Sequence, residues 1–172
     1  MQIIQCYKEG SKYNSLSEIE DVEKIEMICK HTYADTLIER NKKATILNIE
    51  QDILFNQEDI DEIANCPEPM CVFSYRLYPL TTGLPEPVIA HRNKTGATNF
   101  FFIPADYSGA FVDYAGFGFI KFKKGMLNIL KFTEEEREWH AFDSRVSEKF
   151  FAKGIRFHLH PKILKHLHKE EL

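Results

Sequence analysis

His158 and His160 stand two residues apart in an alternating run, IRFHLH over residues 155–160. Residues two apart on a strand point to one side, so both imidazoles would face the same way. Two neutral imidazoles on one face can hold a metal such as zinc. His140 is a third candidate ligand, and Asp143 could orient it. Together they would suit a metal-dependent hydrolase or nuclease. The competing arrangement, which the sequence favours, buries Ile155, Phe157 and Leu159 and leaves His158 and His160 on a solvated face. His166 and His168 are two apart on an expected helix and fall on different faces, which weakens a four-histidine site.

The segment from Trp139 to Arg145 packs a His, an Asp, a Ser and an Arg into a few residues, the types that acid–base and phosphoryl-transfer sites use. Closeness in sequence is not geometry, and a helix cap at Asp143 or Ser144 explains the same residues. Gly116 and Gly118 make half of a dinucleotide fingerprint, but a strand follows where a helix is needed, so nucleotide binding is set aside. Lys121, Lys123, Lys124 and Lys131 alternate with Phe122 and Phe132. Such interleaving can bind a single strand of nucleic acid. The acidic chain, with a pI near 6.0, argues against it.

The four cysteines are Cys6, Cys29, Cys66 and Cys71. Cys66 and Cys71 bracket Pro-Glu-Pro-Met, which lacks the two-residue spacing of zinc or redox pairs. All four are expected as reduced thiols of a cytoplasmic protein, with a Cys66–Cys71 disulfide the lesser alternative. No metal or cofactor is expected. The N-terminus MQIIQCYKEG lacks a basic region followed by an apolar stretch, so no signal peptide is expected. No apolar run reaches bilayer length. The final Lys169-Glu170-Glu171-Leu172 matches a retention tail by chance.

Charge is split. Residues 1–70 hold 15 acidic and 7 basic residues, a net of −8; residues 71–172 hold 11 and 15, a net of +4, giving −4 overall. Glu18, Asp21 and Glu23 on one expected helix and Glu58, Asp59, Asp61 and Glu62 on another would make a broad negative surface if the helices lay side by side. Such a surface steers a basic partner. Tyr78, Phe111 and Tyr114 would add aromatic anchors. With no strong catalytic motif, the sequence favours a non-enzymatic binding protein. Its most concrete form is an immunity-type inhibitor that neutralises a basic toxin or nuclease.

The elements that must position these groups follow from local pattern. Residues 1–7, 44–49, 70–78, 88–91, 99–103 and 155–160 suit strands. Ser17 and Glu20 form a capping box for a helix over 17–30, with Ile19, Val22, Ile25 and Ile28 along one stripe. Asn56 caps a second helix that buries Ile60 and Ile63 and ends at Pro67 and Pro69. A hairpin is expected from 117–122 and 126–132 around Gly125. Thr133 and Glu136 form a further capping box. Ser144 opens a helix that Gly154 closes, and Pro161 starts a last helix over 162–170. The order implies one α+β domain over residues 1–172, a mainly antiparallel sheet with helices on one face or at its edges. Fourteen Phe and seven Tyr predict an aromatic core.

Overall fold

The computed structural model describes residues 1–11, 19, 21–77, 86, 87, 89–92, 98–100 and 110–167. Its strands are β1 (Gln2–Tyr7), β2 (Val22–Glu26), β3 (Ile46–Glu50), β4 (Ile53–Leu54), β5 (Met70–Leu77), β6 (Glu86–Pro87), β7 (Ile89–Arg92), β8 (Thr98–Phe100), β9 (Ala110–Val112), β10 (Tyr114–Ala115), β11 (Phe119–Phe122) and β12 (Phe157–His166). The helices are α1 (Thr32–Lys43), α2 (Gln57–Asn65) and α3 (Trp139–Phe151). The main sheet runs β2-β1-β3-β11-β5-β12-β4, with β6 on β5 and β9 on β12. Strands β10, β7 and β8 form a second, small sheet. The fold is α+β with mostly antiparallel pairings.

Direction decides where a site can lie. Strand β1 is parallel to β2 and β3, and β5 is parallel to β12. Strand β11 is antiparallel to both β3 and β5. Thus β2, β1, β3, β5 and β12 all run one way, and their carboxyl ends share one edge of the sheet.

Both faces of the sheet are covered. On one, Ile4, Ile46, Val72, Ile120, Phe122, Phe157 and Leu159 pack with Tyr33 and Leu37 of α1 and Phe142, Val146 and Phe150 of α3. On the other, Leu47, Ile49, Cys71, Phe73, Phe119 and Leu164 pack with Ile60 and Ile63 of α2. Alternation along each strand sends neighbours to opposite faces. The core is aromatic as expected: Phe73, Phe117, Phe119, Phe122, Phe142, Phe150 and Phe157 are fully buried.

Several local expectations hold. Asn56 Oδ1 accepts from the Asp59 amide at 3.1 Å and Asp59 Oδ2 from the Asn56 amide at 3.0 Å, a complete capping box. Thr133 and Glu136 make the same reciprocal pair ahead of a short 3₁₀ turn, Glu135–Arg137. Gly125 and Gly154 adopt φ of +83° and +69°.

Four expectations fail. In place of a helix over 17–30, Val22–Glu26 is a strand, and residues 12–18 and 20 lie outside the described set. Val22 pairs with Ile3 and Ile25 with Cys6. Asp21 breaks any helix with φ +70°. Ile19 and Ile25 pack in opposite cores, whereas a helix would keep them on one stripe. The second hairpin strand is absent because β11 already has a neighbour on each side, β3 and β5. The chain instead forms a 3₁₀ turn, Leu127–Ile129, held by buried Asn41 of α1, whose Oδ1 accepts from the Leu127 amide at 2.8 Å. The last helix is replaced by the second half of β12, and Pro161 sits at a register shift between His160 and Ile163, where its missing N–H is tolerated. Helix α3 starts at Trp139, so Ser144 lies within it.

Candidate functional site

The shared carboxyl edge opens into a cleft of about 490 Å³. Cys6 and Lys8 line it from the end of β1, Met27 to Lys30 from beyond β2, and Glu50, Gln51 and Asp52 from the end of β3. Tyr33 of α1 and Trp139 of α3 complete the wall. Crevices outside the carboxyl ends of parallel strands are the usual ligand position in sheets of this kind. Ile28 and Trp139 are exposed here, at 79% and 56%.

Glu50 is the most perturbed acid in the cleft. Burial first, then the negative charges of Asp52 and Asp143, push its pKa up to about 8. A relay supports it from below: Asn48 Nδ2 donates to Tyr33 Oη at 2.8 Å, and the Tyr33 hydroxyl donates to Glu50 Oε1 at 3.1 Å. Asn48 also donates to the Phe117 carbonyl at 2.7 Å. The Glu50 amide donates to the Gly118 carbonyl at 2.8 Å. Gly118 is bare for a packing reason: a Cβ there would meet Tyr75 Cε1 at 2.5 Å. Tyr75 stacks on His166, whose Nε2 lies 3.3 Å from Asp52 Oδ2. Burial also raises Asp143. Cys29, exposed in the cleft, has its thiol pKa lowered by its contact with Thr32 Oγ1 at 3.2 Å.

A second polar cluster lies on the α2 face, toward the other end of β5 and β12. Cys66 caps the end of α2, Cys71 lies on β5, and His158 and His160 lie on β12. One donor atom from each falls within 4.8 Å of all the others. Cys71 Sγ is 2.7 Å from Cys66 Sγ, and His158 Nδ1 is 3.3 Å from Cys66 Sγ. No disulfide joins the sulfurs. Burial, then the like charge of His160, lowers the His158 pKa. Burial raises that of Cys71, against the pull of Lys121.

The expected site residues are redistributed. His158 and His160 do share a face, but it is covered, and His160 is only 7% exposed. His140 lies at the start of α3, on the opposite face, 3.7 Å from Glu138. Of the acidic residues, Glu23 on edge strand β2 pairs with Arg40. Asp59 is buried and pairs with Lys162, and Glu62 pairs with His160. Asp21, Glu58 and Asp61 are exposed, the last accepting from Gln57. Asp59 and Glu62 of α2 meet β12, while Glu23 lies on strand β2, so the two acidic segments are not helices side by side. Glu18 and Tyr78 lie outside the described residues. Tyr114 is half-buried: its hydroxyl sits 3.1 Å from Ser144 Oγ and 3.5 Å from Asp143, and burial raises its pKa to about 12. Lys121 is buried rather than part of a basic surface.

Sequence reasoning counted Glu50 and Asp52 only as part of an acidic face, and missed both their place in the cleft and the joining of the cysteines to the histidines. A four-residue gap between Cys66 and Cys71 is within the range of zinc sites, and that was the available signal.

No family model matches the chain, and no curated protein matches it. Among solved structures it is similar to the crystal structure of A197 from STIV, with 14% identity, a TM-score of 0.48, and coverage of 93% of this chain and 82% of that one. Among the described residues no helix is long and apolar enough to cross a membrane.

Proposed function

We propose that this protein is an enzyme that binds a small polar molecule in the carboxyl-edge cleft and moves a proton on it through Glu50. The observation that carries this reading is the placement of Glu50 and Asp52 at the end of β3, in a cleft at the carboxyl ends of three adjacent parallel strands. A carboxyl that keeps its proton near neutral pH is suited to act as a general acid and, once deprotonated, as a base. The flat, exposed Trp139 suits stacking of a ring, and Asp52 and Lys8 suit polar groups on the same ligand. Four unbonded thiols fit a reducing, cytoplasmic setting.

The inhibitor reading drew its support from one continuous acidic face, and that support is reduced by the separation of the β2 and α2 acids. The histidine-centred hydrolase reading needed His140 beside His158 and His160.

Cys29 provides a direct assay, because it lines the cleft and is exposed. A metabolite library is screened for compounds that slow alkylation of Cys29, and hits are repeated on Glu50→Gln and Trp139→Ala. Hits weakened at least tenfold by either variant support the reading. Hits indifferent to both variants, or a library with no protecting compound, count against it.

A further inference from the structure

We infer that Cys66, Cys71, His158 and His160 form a tetrahedral site for one zinc ion, which fastens the end of α2 to β5 and β12. The site is separate from the cleft and does not depend on the function proposed for it.

The donor set comes first. Two sulfurs and two imidazole nitrogens in one buried cluster match the four-coordinate preference of zinc over magnesium or calcium. With metal–ligand bonds of about 2.0–2.3 Å, tetrahedral donors lie about 3.3–3.8 Å apart. The His158 Nδ1 to Cys66 Sγ separation of 3.3 Å already fits. The sulfurs, at 2.7 Å, would open by about 1 Å to bracket the ion.

The strongest sign is His160. Its Nδ1 is 2.7 Å from Glu62 Oε1, while its Nε2 is buried with no hydrogen-bond partner. A carboxylate on one ring nitrogen fixes the tautomer with the proton on that side and presents the other nitrogen's lone pair, as in carboxylate–histidine–zinc arrangements. A buried acceptor with nothing to accept is costly, and an ion at the cluster would satisfy it. Lys121 adds charge. It is 5% exposed, it donates to the Cys66 carbonyl, and among the described residues it meets no carboxylate.

Binding would release two thiol protons to solvent and form two zinc–sulfur and two zinc–nitrogen bonds, with no electron transferred. All four positions come from the protein, so the ion is closed to substrate and its role is structural. It would join segments 92 residues apart in sequence.

The test uses the full chain, reduced and stripped of metal, titrated with cobalt and then zinc. One equivalent of cobalt with the intense visible bands of a tetrahedral thiolate site, displaced by one equivalent of zinc, is the expected result. Glu62→Gln, which leaves all four ligands in place, should weaken zinc binding by about 10–100-fold. The inference is overturned if the folded, reduced chain binds no cobalt. It is also overturned if the spectrum is that of a weak oxygen-ligated site, or if Cys71→Ser leaves it unchanged. Should Cys71→Ser fail to fold, the wild-type spectrum and Glu62→Gln decide alone.

Discussion

Strands β5 and β12 each carry two polar groups of different kinds, one toward each end. Near their amino ends, Cys71, His158 and His160 gather with Cys66 under α2. Near their carboxyl ends, Tyr75 and His166 stack and reach Asp52 at the margin of the cleft. The first group is closed, soft in its donors and complete in number. The second is open, rich in oxygen and beside Glu50, an acid that burial makes slow to lose its proton. A closed set suits holding something permanently, and an open set with a displaced pKa suits exchanging protons with something that comes and goes. Position along two strands therefore separates a stabilising role from a reactive one.

That separation is open to attack by mutation. The largest effect should come from the closed cluster: removing its ion, or Cys71→Ser, should lower Tm by on the order of 10 °C, since a structural zinc contributes directly to folding. Calorimetry of metal-loaded and stripped protein checks this, and a smaller loss than that from a cleft substitution would invert the comparison. Next is Gly118→Ala. The added Cβ meets the ring of buried Tyr75, and overpacking of this kind costs about 1–3 kcal/mol, or roughly 3–10 °C in Tm.

A further effect comes from pH. The folded chain holds a proton on Glu50 up to about pH 8, while the unfolded chain releases it near the ordinary value of 4.5. The folded state thus binds more protons in that window, and stability should fall as pH rises from about 5 to about 8. Thermal melts of Glu50→Gln should show a shallower decline over the same range, and parallel curves would count against the displaced carboxyl. The smallest effect is expected from Tyr33→Phe. The Tyr33 hydroxyl favours the charged form of Glu50, so its loss should raise the Glu50 midpoint with little change in Tm at pH 6. A lowered midpoint would contradict the relay.

What was legible in the sequence was local. The Asn56 helix cap, the strand beginning at Met70, the left-handed Gly125 and Gly154 and the aromatic core each depend on residues close in sequence. The failures came where distant chain decided. Val22 and Ile25 fit a helical stripe, but pairing with β1 made them a strand. Helix α1 drew no notice because its apolar stripe is thin, resting on Tyr33, Ala34 and Leu37. Pro161 marks a helix start in isolation and a bulge when β5 is beside it. The site groups were hidden for the same reason: Cys66 and His158 meet only through the β5–β12 pairing. The spacing of Glu50 and Asp52 is ordinary until the strand order puts them at a cleft.

The most direct test of the reactive half of this account is the titration of Glu50 itself, followed by carboxyl ¹³C NMR and assigned with Glu50→Gln. The account predicts a midpoint near 8. A midpoint in the ordinary range near 4.5 would contradict it, because a carboxyl charged throughout the neutral range could not deliver the proton that the cleft is proposed to transfer.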